Sequence, residues 1–327
     1  MNLCVNQPPL LSIIVPFYNE RAALPICIAR IGKVLDGIDL RSEVLFVDDG
    51  SRDGGADYLL THPLKNSNAR VIRLSRNFGK EAAMTAGLEH ARGDAVIILD
   101  ADLQDPPELI PAMINRWREG YDVVLMKRRH RAGETAFKRL SAHIFYRLLQ
   151  RISGFSIPED VGDFRLMSRK SVDALNQLAE SNRYMKGLFA WVGMPTTVIL
   201  YDRDPRVAGA SKWNYPQLLR LALDGIISFT TAPLRLSMLA GLLAAGFGLL
   251  FGVWIVAKAI LFGDPTQGYP SLVALISFLG GVQLMALGVV GEYVGKTYIE
   301  SKRRPVYLVD IEAESMSPVT TVLQRHG

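Results

Sequence analysis

Cysteine is nearly absent: the 327 residues hold two, Cys4 and Cys27. Neither has a partner at metal-ligand spacing, and two thiols build no disulfide framework. A cysteine-based metal site and a stapled secreted scaffold are excluded, and a reducing compartment is expected. Charge imbalance is also slight. The 37 Lys and Arg residues against 32 Asp and Glu leave a net charge of +5. A small, scattered excess of this kind fits anionic lipid headgroups or phosphorylated ligands, and it argues against nucleic acid as a partner. No G-x-G-x-x-G follows the first apolar run, which removes the main reason to consider a dinucleotide-dependent oxidoreductase. The N-terminal stretch MNLCVNQPPLL has no charged segment leading into an apolar core, so no cleavable signal peptide is expected. His62, His90 and His143 lack ligand spacing and read as ordinary residues.

What the chain does have is a series of short apolar runs: residues 11–18, 43–47, 70–74, 95–99 and 121–126. Each is rich in branched residues and bounded by turn residues, as expected of strands buried on both faces. Helix-like stretches lie between them at 20–36, 79–91 and 106–119. The first carries Leu24, Ile28, Ile31 and Leu35 at helical spacing, and the last opens with Pro106 and Pro107. The alternation predicts an α/β fold with a doubly wound, mostly parallel sheet. In such sheets ligands bind outside the carboxyl ends of the strands. Acidic residues fall at those ends: Glu20 after the first strand, Asp48 and Asp49 after the second, Asp100 and Asp102 after the fourth. Helix capping accounts readily for any one of these sites and poorly for all three together.

The second half is built differently. Residues 136–152 and 212–231 are amphipathic, and either suits a membrane surface. Residues 236–257 and 271–291 contain no charge, and each is long enough to cross about 30 Å of hydrocarbon as a helix. Recurrent glycines would let the two helices pack closely. Basic residues flank them at Arg235, Lys296, Lys302, Arg303 and Arg304, while the connector holds Asp264 and no basic residue. Both termini are therefore expected on the cytoplasmic side. The expected organisation is a catalytic domain over 1–205, an amphipathic juxtamembrane segment over 206–233, a transmembrane hairpin over 234–295 and a cytoplasmic tail over 296–327, in which no motif is visible after Asp310.

Asp100-Ala101-Asp102 places two carboxylates two positions apart at a strand end. Hard oxygen donors in that position suit Mg²⁺ or Mn²⁺ shared with the phosphates of a nucleotide. The runs V-P-F-Y-N-E (15–20), V-D-D-G-S-R-D (47–53), R-N-F-G-K (76–80), D-A-D-L-Q-D-P-P (100–107), G-D-F-R-L (162–166) and R-V-A-G-A-S-K-W (206–213) resemble family 2 glycosyltransferases. Within that family they resemble the branch that makes polyisoprenyl-phosphate sugars. The resemblance implies a GT-A-like domain and transfer of a hexose, with inversion, to undecaprenyl phosphate. UDP-glucose is the favoured donor, with GDP-mannose and an amino-arabinose donor as alternatives, since no residue can be tied to sugar choice. It also implies a bacterial inner-membrane location and a homo-oligomer, with the tetramer as the assembly of the bactoprenol glucosyltransferase type.

The same resemblance assigns roles to matching positions. Pro16, Tyr18, Glu20, Asp48, Asp49 and Asp100 are implied in nucleotide-sugar binding. Asp100, Asp102 and Gln104 are implied at the metal and donor phosphates, and Asp163 near the acceptor. Arg128, Arg206, Ser211 and Lys212 are implied as ligands of the acceptor phosphate, so that Asp163, Asp102, Arg128 and Lys212 form the expected catalytic set. A processive polysaccharide synthase shares the fold but carries Q-x-x-R-W. Here the sole Arg-Trp pair, Arg116-Trp117, has Met113 where glutamine is required. A non-catalytic nucleotide-sugar-binding membrane scaffold is the remaining alternative, and the intact acidic positions speak against it.

Overall fold

The computed structural model describes residues 8–62, 64, 67–129, 161–178, 180, 183–204, 227, 230–262 and 268–315. The chain divides into two units. One holds an eight-stranded sheet and takes in the chain from Pro305 onward; the other holds two long apolar helices.

The sheet begins with β1 (Leu10–Phe17), β2 (Arg41–Asp48), β3 (Asn68–Leu74) and β4 (Ala95–Ile98). These are the runs whose apolar character foretold burial, and β1 and β4 are buried along almost their whole length. They pair in parallel, in the spatial order β3-β2-β1-β4. The crossovers are α1 (Leu24–Leu35), α2 (Gly55–Thr61) and α3 (Lys80–His90). Helix α1 buries Leu24, Cys27, Ile31 and Leu35, so Cys27 rather than Ile28 completes the inner stripe. Helix α3 lies very close to β1. A Cβ at Gly87 would fall 2.3 Å from Ile14 Cγ2, so only glycine permits that approach.

The second half of the sheet is mixed. After a short 3-10 turn (Pro107–Leu109), α4 (Ile110–Arg118) leads into β5 (Val123–Arg128). Beyond them come β6 (Val161–Ser168), α5 (Arg169–Asn176), α6 (Met185–Trp191) and β7 (Thr196–Tyr201). Strand β6 is antiparallel to both β4 and β5, and β7 is parallel to β5. The last strand, β8 (Val309–Glu314), is antiparallel to β3 and closes that edge. The full order is β7-β5-β6-β4-β1-β2-β3-β8. Four of the seven pairings are parallel, and only β6 and β8 run against the rest.

Strand β8 forms from the tail in which no motif was visible. Arg70 of β3, 4% exposed, lies between Glu43 of β2 at 3.3 Å and Glu312 of β8. Tyr307 donates to Glu89, and Ser315 Oγ donates to the Leu59 carbonyl at 2.8 Å.

The second unit consists of α7 (Ala232–Phe262) and α8 (Tyr269–Ser301). Both contain stretches long and apolar enough to cross a membrane, with mean hydropathy 2.2 over Ala232–Phe262 and 1.4 over Phe278–Ser301. Many of their large apolar side chains are exposed, among them Leu242, Leu250, Phe262, Leu284 and Met285. The amphipathic stretch 136–152 lies outside the described residues, as does nearly all of 212–231.

Candidate active site

Strands β1, β2, β4, β5 and β7 share one direction, so their carboxyl ends lie along one edge of the sheet. Strand β6 is reversed, and its amino end, Val161-Gly162-Asp163, therefore reaches the same edge. This is how Asp163 meets residues that precede it by more than sixty positions.

The centre is one ammonium between two carboxylates. Lys80, the first residue of α3, places Nζ 2.7 Å from Asp100 Oδ1 and 2.6 Å from Asp163 Oδ2. It also donates to Asp100 Oδ2 at 2.9 Å. Burial alone would push this ammonium down, but Asp100 and Asp163 hold it above its ordinary value. Burial opposes ionisation of Asp163, yet Lys80 and then Lys186 keep its carboxyl below the usual carboxylate range. Burial raises Asp100, with Lys80 opposing. Around this trio stand Glu81, Lys186 and Arg165. Burial pushes Glu81 up to about 7 and Arg165 down to about 10, and it also lowers Lys186. Arg165 turns back on its own strand, donating to the Gly162 carbonyl at 2.7 Å and stacking over Phe189.

The loop after β4 alternates. Ala101, Leu103 and Asp105 are buried, while Asp102 and Gln104 are half-buried. A left-handed turn at Leu103 and the bond from Gln104 N–H to Asp102 Oδ1, 3.2 Å, shape it. Asp100 Oδ1 is buried and, although ion-paired, accepts no hydrogen bond. No group of three His, Cys, Asp or Glu side chains is poised for a metal among the described residues. One or two carboxylates plus substrate phosphates are the usual hold on Mg²⁺, so Asp100 and Asp102 with Gln104 fit a cation shared with a diphosphate.

The residues expected to bind the donor lie at the ends of β1 and β2. Pro16 pairs with Val47 in the sheet. Tyr18 is exposed just beyond β1, and Glu20 is half-buried. Asn19, at φ 52°, receives Arg52 N–H on Oδ1 and donates N–H to Ser51 Oγ, which ties the two loops together. Asp48 and Asp49 are buried. Asp48 Oδ1 accepts from Ser51 N–H at 2.8 Å, while its Oδ2 accepts no hydrogen bond. Asp49 accepts from Phe78 and Gly79 N–H at 2.7 and 3.0 Å, bracing the R-N-F-G-K loop that delivers Lys80. Burial raises both carboxyls, against these bonds. Gly50, at φ +70°, lies against the Arg76 backbone, where a Cβ would come within 2.5 Å.

Arg128 is the final residue of β5, not part of the loop that follows it. Its guanidinium lies 4.0 Å from Asp105 and donates to Tyr201 Oη at 3.4 Å. Gly162 leaves room for it, since a Cβ there would sit 3.1 Å from Arg128 Nη2. Arg206, Ser211 and Lys212 lie outside the described residues. The structure thus brings together Asp100, Asp163 and Arg128 with residues to which sequence reasoning gave no role: Lys80, Glu81, Lys186, Asp105, Tyr201 and Arg203. Lys80 and Asp105 stand inside motifs already noted, so their signal was present but unassigned.

Residues 12–175 match Glycosyl transferase family 2. A bactoprenol glucosyl transferase of Shigella phage SfV is 47% identical over 306 residues, covering 93% of this chain and 99% of the relative. A prophage bactoprenol glucosyl transferase homolog of Escherichia coli is 45% identical over 301 residues, covering 91% and 98%. An uncharacterised glycosyltransferase of Synechocystis sp. is 48% identical over 299 residues, covering 91% and 94%. Among solved structures, glucosyl-3-phosphoglycerate synthase from Mycobacterium tuberculosis has a TM-score of 0.49 at 20% identity, covering 67% of this chain and 76% of that one.

Proposed function

Because this chain belongs to glycosyl transferase family 2 and is a glycosyltransferase, we propose that it transfers glucose from UDP-glucose to undecaprenyl phosphate, inverting the anomeric carbon. The observation that carries this reading is full-length kinship, at 47% identity over 93% of the chain, with a protein named bactoprenol glucosyl transferase. The strand-end cluster of Lys80, Asp100, Asp163 and Arg128 supports it.

The chemistry follows from charge. A phosphate monoester oxygen is already anionic near neutral pH, so the acceptor needs no strong base. It attacks C1 as the bond from C1 to the nucleoside diphosphate breaks, and in-line displacement inverts C1. Asp163 is a poor proton acceptor, because Lys80 and Lys186 keep it ionised. Its place beside Lys80 suits orientation of the sugar or of a neighbouring cation. The larger task is to hold two anions together, and Arg128, Lys80 and the R-V-A-G-A-S-K-W run supply positive charge for it. Asp100, Asp102 and Gln104 would hold Mg²⁺ or Mn²⁺, which offsets charge building on the departing diphosphate. Asp48 Oδ2, buried without a hydrogen bond, is an acceptor suited to a base or ribose donor, with Asp49, Pro16, Tyr18 and Glu20 completing that wall.

Undecaprenyl phosphate places the reaction at a bilayer. The two apolar helices serve as the anchor in a bacterial inner membrane, with both flanks cytoplasmic. A homo-oligomer, with a tetramer as its closed form, belongs to the same reading.

A donor screen with purified full-length protein and undecaprenyl phosphate tests it. Lipid-linked glucose should form from UDP-glucose with Mn²⁺ and should vanish with a chelator. Product from GDP-mannose or an amino-arabinose donor alone would overturn the sugar. Donor binding without lipid-linked product would favour the scaffold.

A further inference from the structure

Asp105 is 1% exposed, and an isolated buried carboxylate costs several kcal/mol unless neighbours compensate it. Its compensation comes from two other strand ends. Oδ1 accepts the Tyr201 hydroxyl hydrogen and lies 4.0 Å from Arg128 Nη2 and 3.8 Å from Arg203 Nε. Tyr201 ends β7, Arg128 ends β5, and Arg203 follows two residues after β7. Backbone bonds reinforce the junction, from Asp204 N–H to the Gln104 carbonyl at 3.0 Å and from Arg129 N–H to the Tyr201 carbonyl at 3.0 Å. Arg30 also bridges Glu108, just beyond the same loop, and Asp204.

The two guanidiniums are near Asp105 without being consumed by it. Distances of 3.8 and 4.0 Å are ion-pair contacts, not hydrogen bonds, and among the described residues Arg203 Nε has no hydrogen bond. Each guanidinium carries five N–H donors and matches the geometry of phosphate. Two such cations would repel if placed together alone. One carboxylate between them cancels half their charge and leaves a net positive fork with donors to spare. That carboxylate belongs to the loop that also carries Asp100, Asp102 and Gln104.

We infer that Asp105 is a positioning residue. It holds Arg128 and Arg203 as a paired guanidinium site for the acceptor's phosphate and fixes that site against the donor loop. Arg203 is thereby an acceptor-phosphate ligand, and the Tyr201 hydroxyl sets the direction of the Asp105 carboxylate. The inference rests on the reading that the acceptor is a polyprenyl phosphate.

The test uses full-length protein in detergent with Arg203→Gln, Asp105→Asn and the double variant. Steady-state kinetics with undecaprenyl phosphate and UDP-glucose is one arm. Binding of geranylgeranyl phosphate without any donor is the other. Loss of a charged hydrogen bond predicts an acceptor KM raised about tenfold in each single variant, with donor KM within about twofold of wild type. Because both changes act on one unit, the double variant should be little worse than Arg203→Gln alone. Prenyl-phosphate affinity should fall in parallel. Unchanged acceptor KM in Arg203→Gln, or equal loss for donor and acceptor in Asp105→Asn, would overturn the inference. If wild type transfers nothing from any UDP-sugar, the functional reading fails, and the donor-free arm still decides the paired site.

Discussion

Lys80 makes the clearest case at the scale of single residues. Its ammonium meets Asp100 and Asp163 at 2.7 and 2.6 Å, and without it two half-buried carboxylates would face each other. Lys80→Met keeps the aliphatic stem and removes the charge. It should lower kcat by about a hundredfold or more, as the loss of an electrostatic catalytic group does, with melting temperature as the check on folding. Asp163→Asn should, by contrast, retain activity well above the background of a variant lacking an essential base, because its carboxylate is held ionised. Complete loss of turnover in a folded Asp163→Asn protein would restore a proton-accepting role. Glu81 gives a prediction in stability. Its ordinary value is 4.5 and burial raises it to about 7, so between these limits the native state keeps a proton that the unfolded chain has lost. Stability should therefore fall as pH rises through that window, by at most about 3 kcal/mol. Melting curves of wild type and Glu81→Gln from pH 4.5 to 8 should diverge there, with the variant losing less.

At the scale of elements, legibility in the sequence tracked burial. Strands β1 to β4 are each built around a short, mostly buried apolar run, and they were read close to where they stand. Strand β6 was not read as a strand: V-G-D-F-R-L-M-S mixes a charge, a glycine and a buried Arg165, whose stacking on Phe189 is a long-range contact. Its reversal is what brings Asp163 to the active edge, and nothing local to residues 161–168 announces that. Strand β8 did carry a signal, the alternation V-D-I-E-A-E, which is the period of a strand covered on one face. It was missed because it follows the membrane segments and pairs with β3 more than 230 residues earlier. Asp49 was read as a donor ligand; what the structure shows is its carboxylate bracing the Lys80 loop, a contact that spacing alone cannot reveal. Removing residues 306–327 should unpair β3 and take Glu312 from Arg70, leaving it Glu43 and the His90 carbonyl. The expected result is a lower melting temperature and aggregation through the bared edge, read by light scattering. A fully soluble truncation with unchanged melting would refute that role for β8.

At the scale of the whole molecule, the chain leaves the sheet unit after β7, runs through two apolar helices and returns as β8. The proposed anchor, with both flanks of the two apolar helices on the cytoplasmic side, makes a prediction about the connector between them. A cysteine placed at position 266 of the connector should react with a membrane-impermeant maleimide added to intact cells, and Ser315→Cys should not. The most direct measurement of the central chemistry follows labelled glucose from UDP-glucose, with undecaprenyl phosphate and Mn²⁺, into the organic phase. Wild type should yield chloroform-soluble, acid-labile label, and Asp102→Ala, with unchanged melting, should yield about a hundredfold less or lower. Label that stays in water with wild type, or passes equally into lipid with Asp102→Ala, would contradict a cation-assisted transfer to a lipid phosphate.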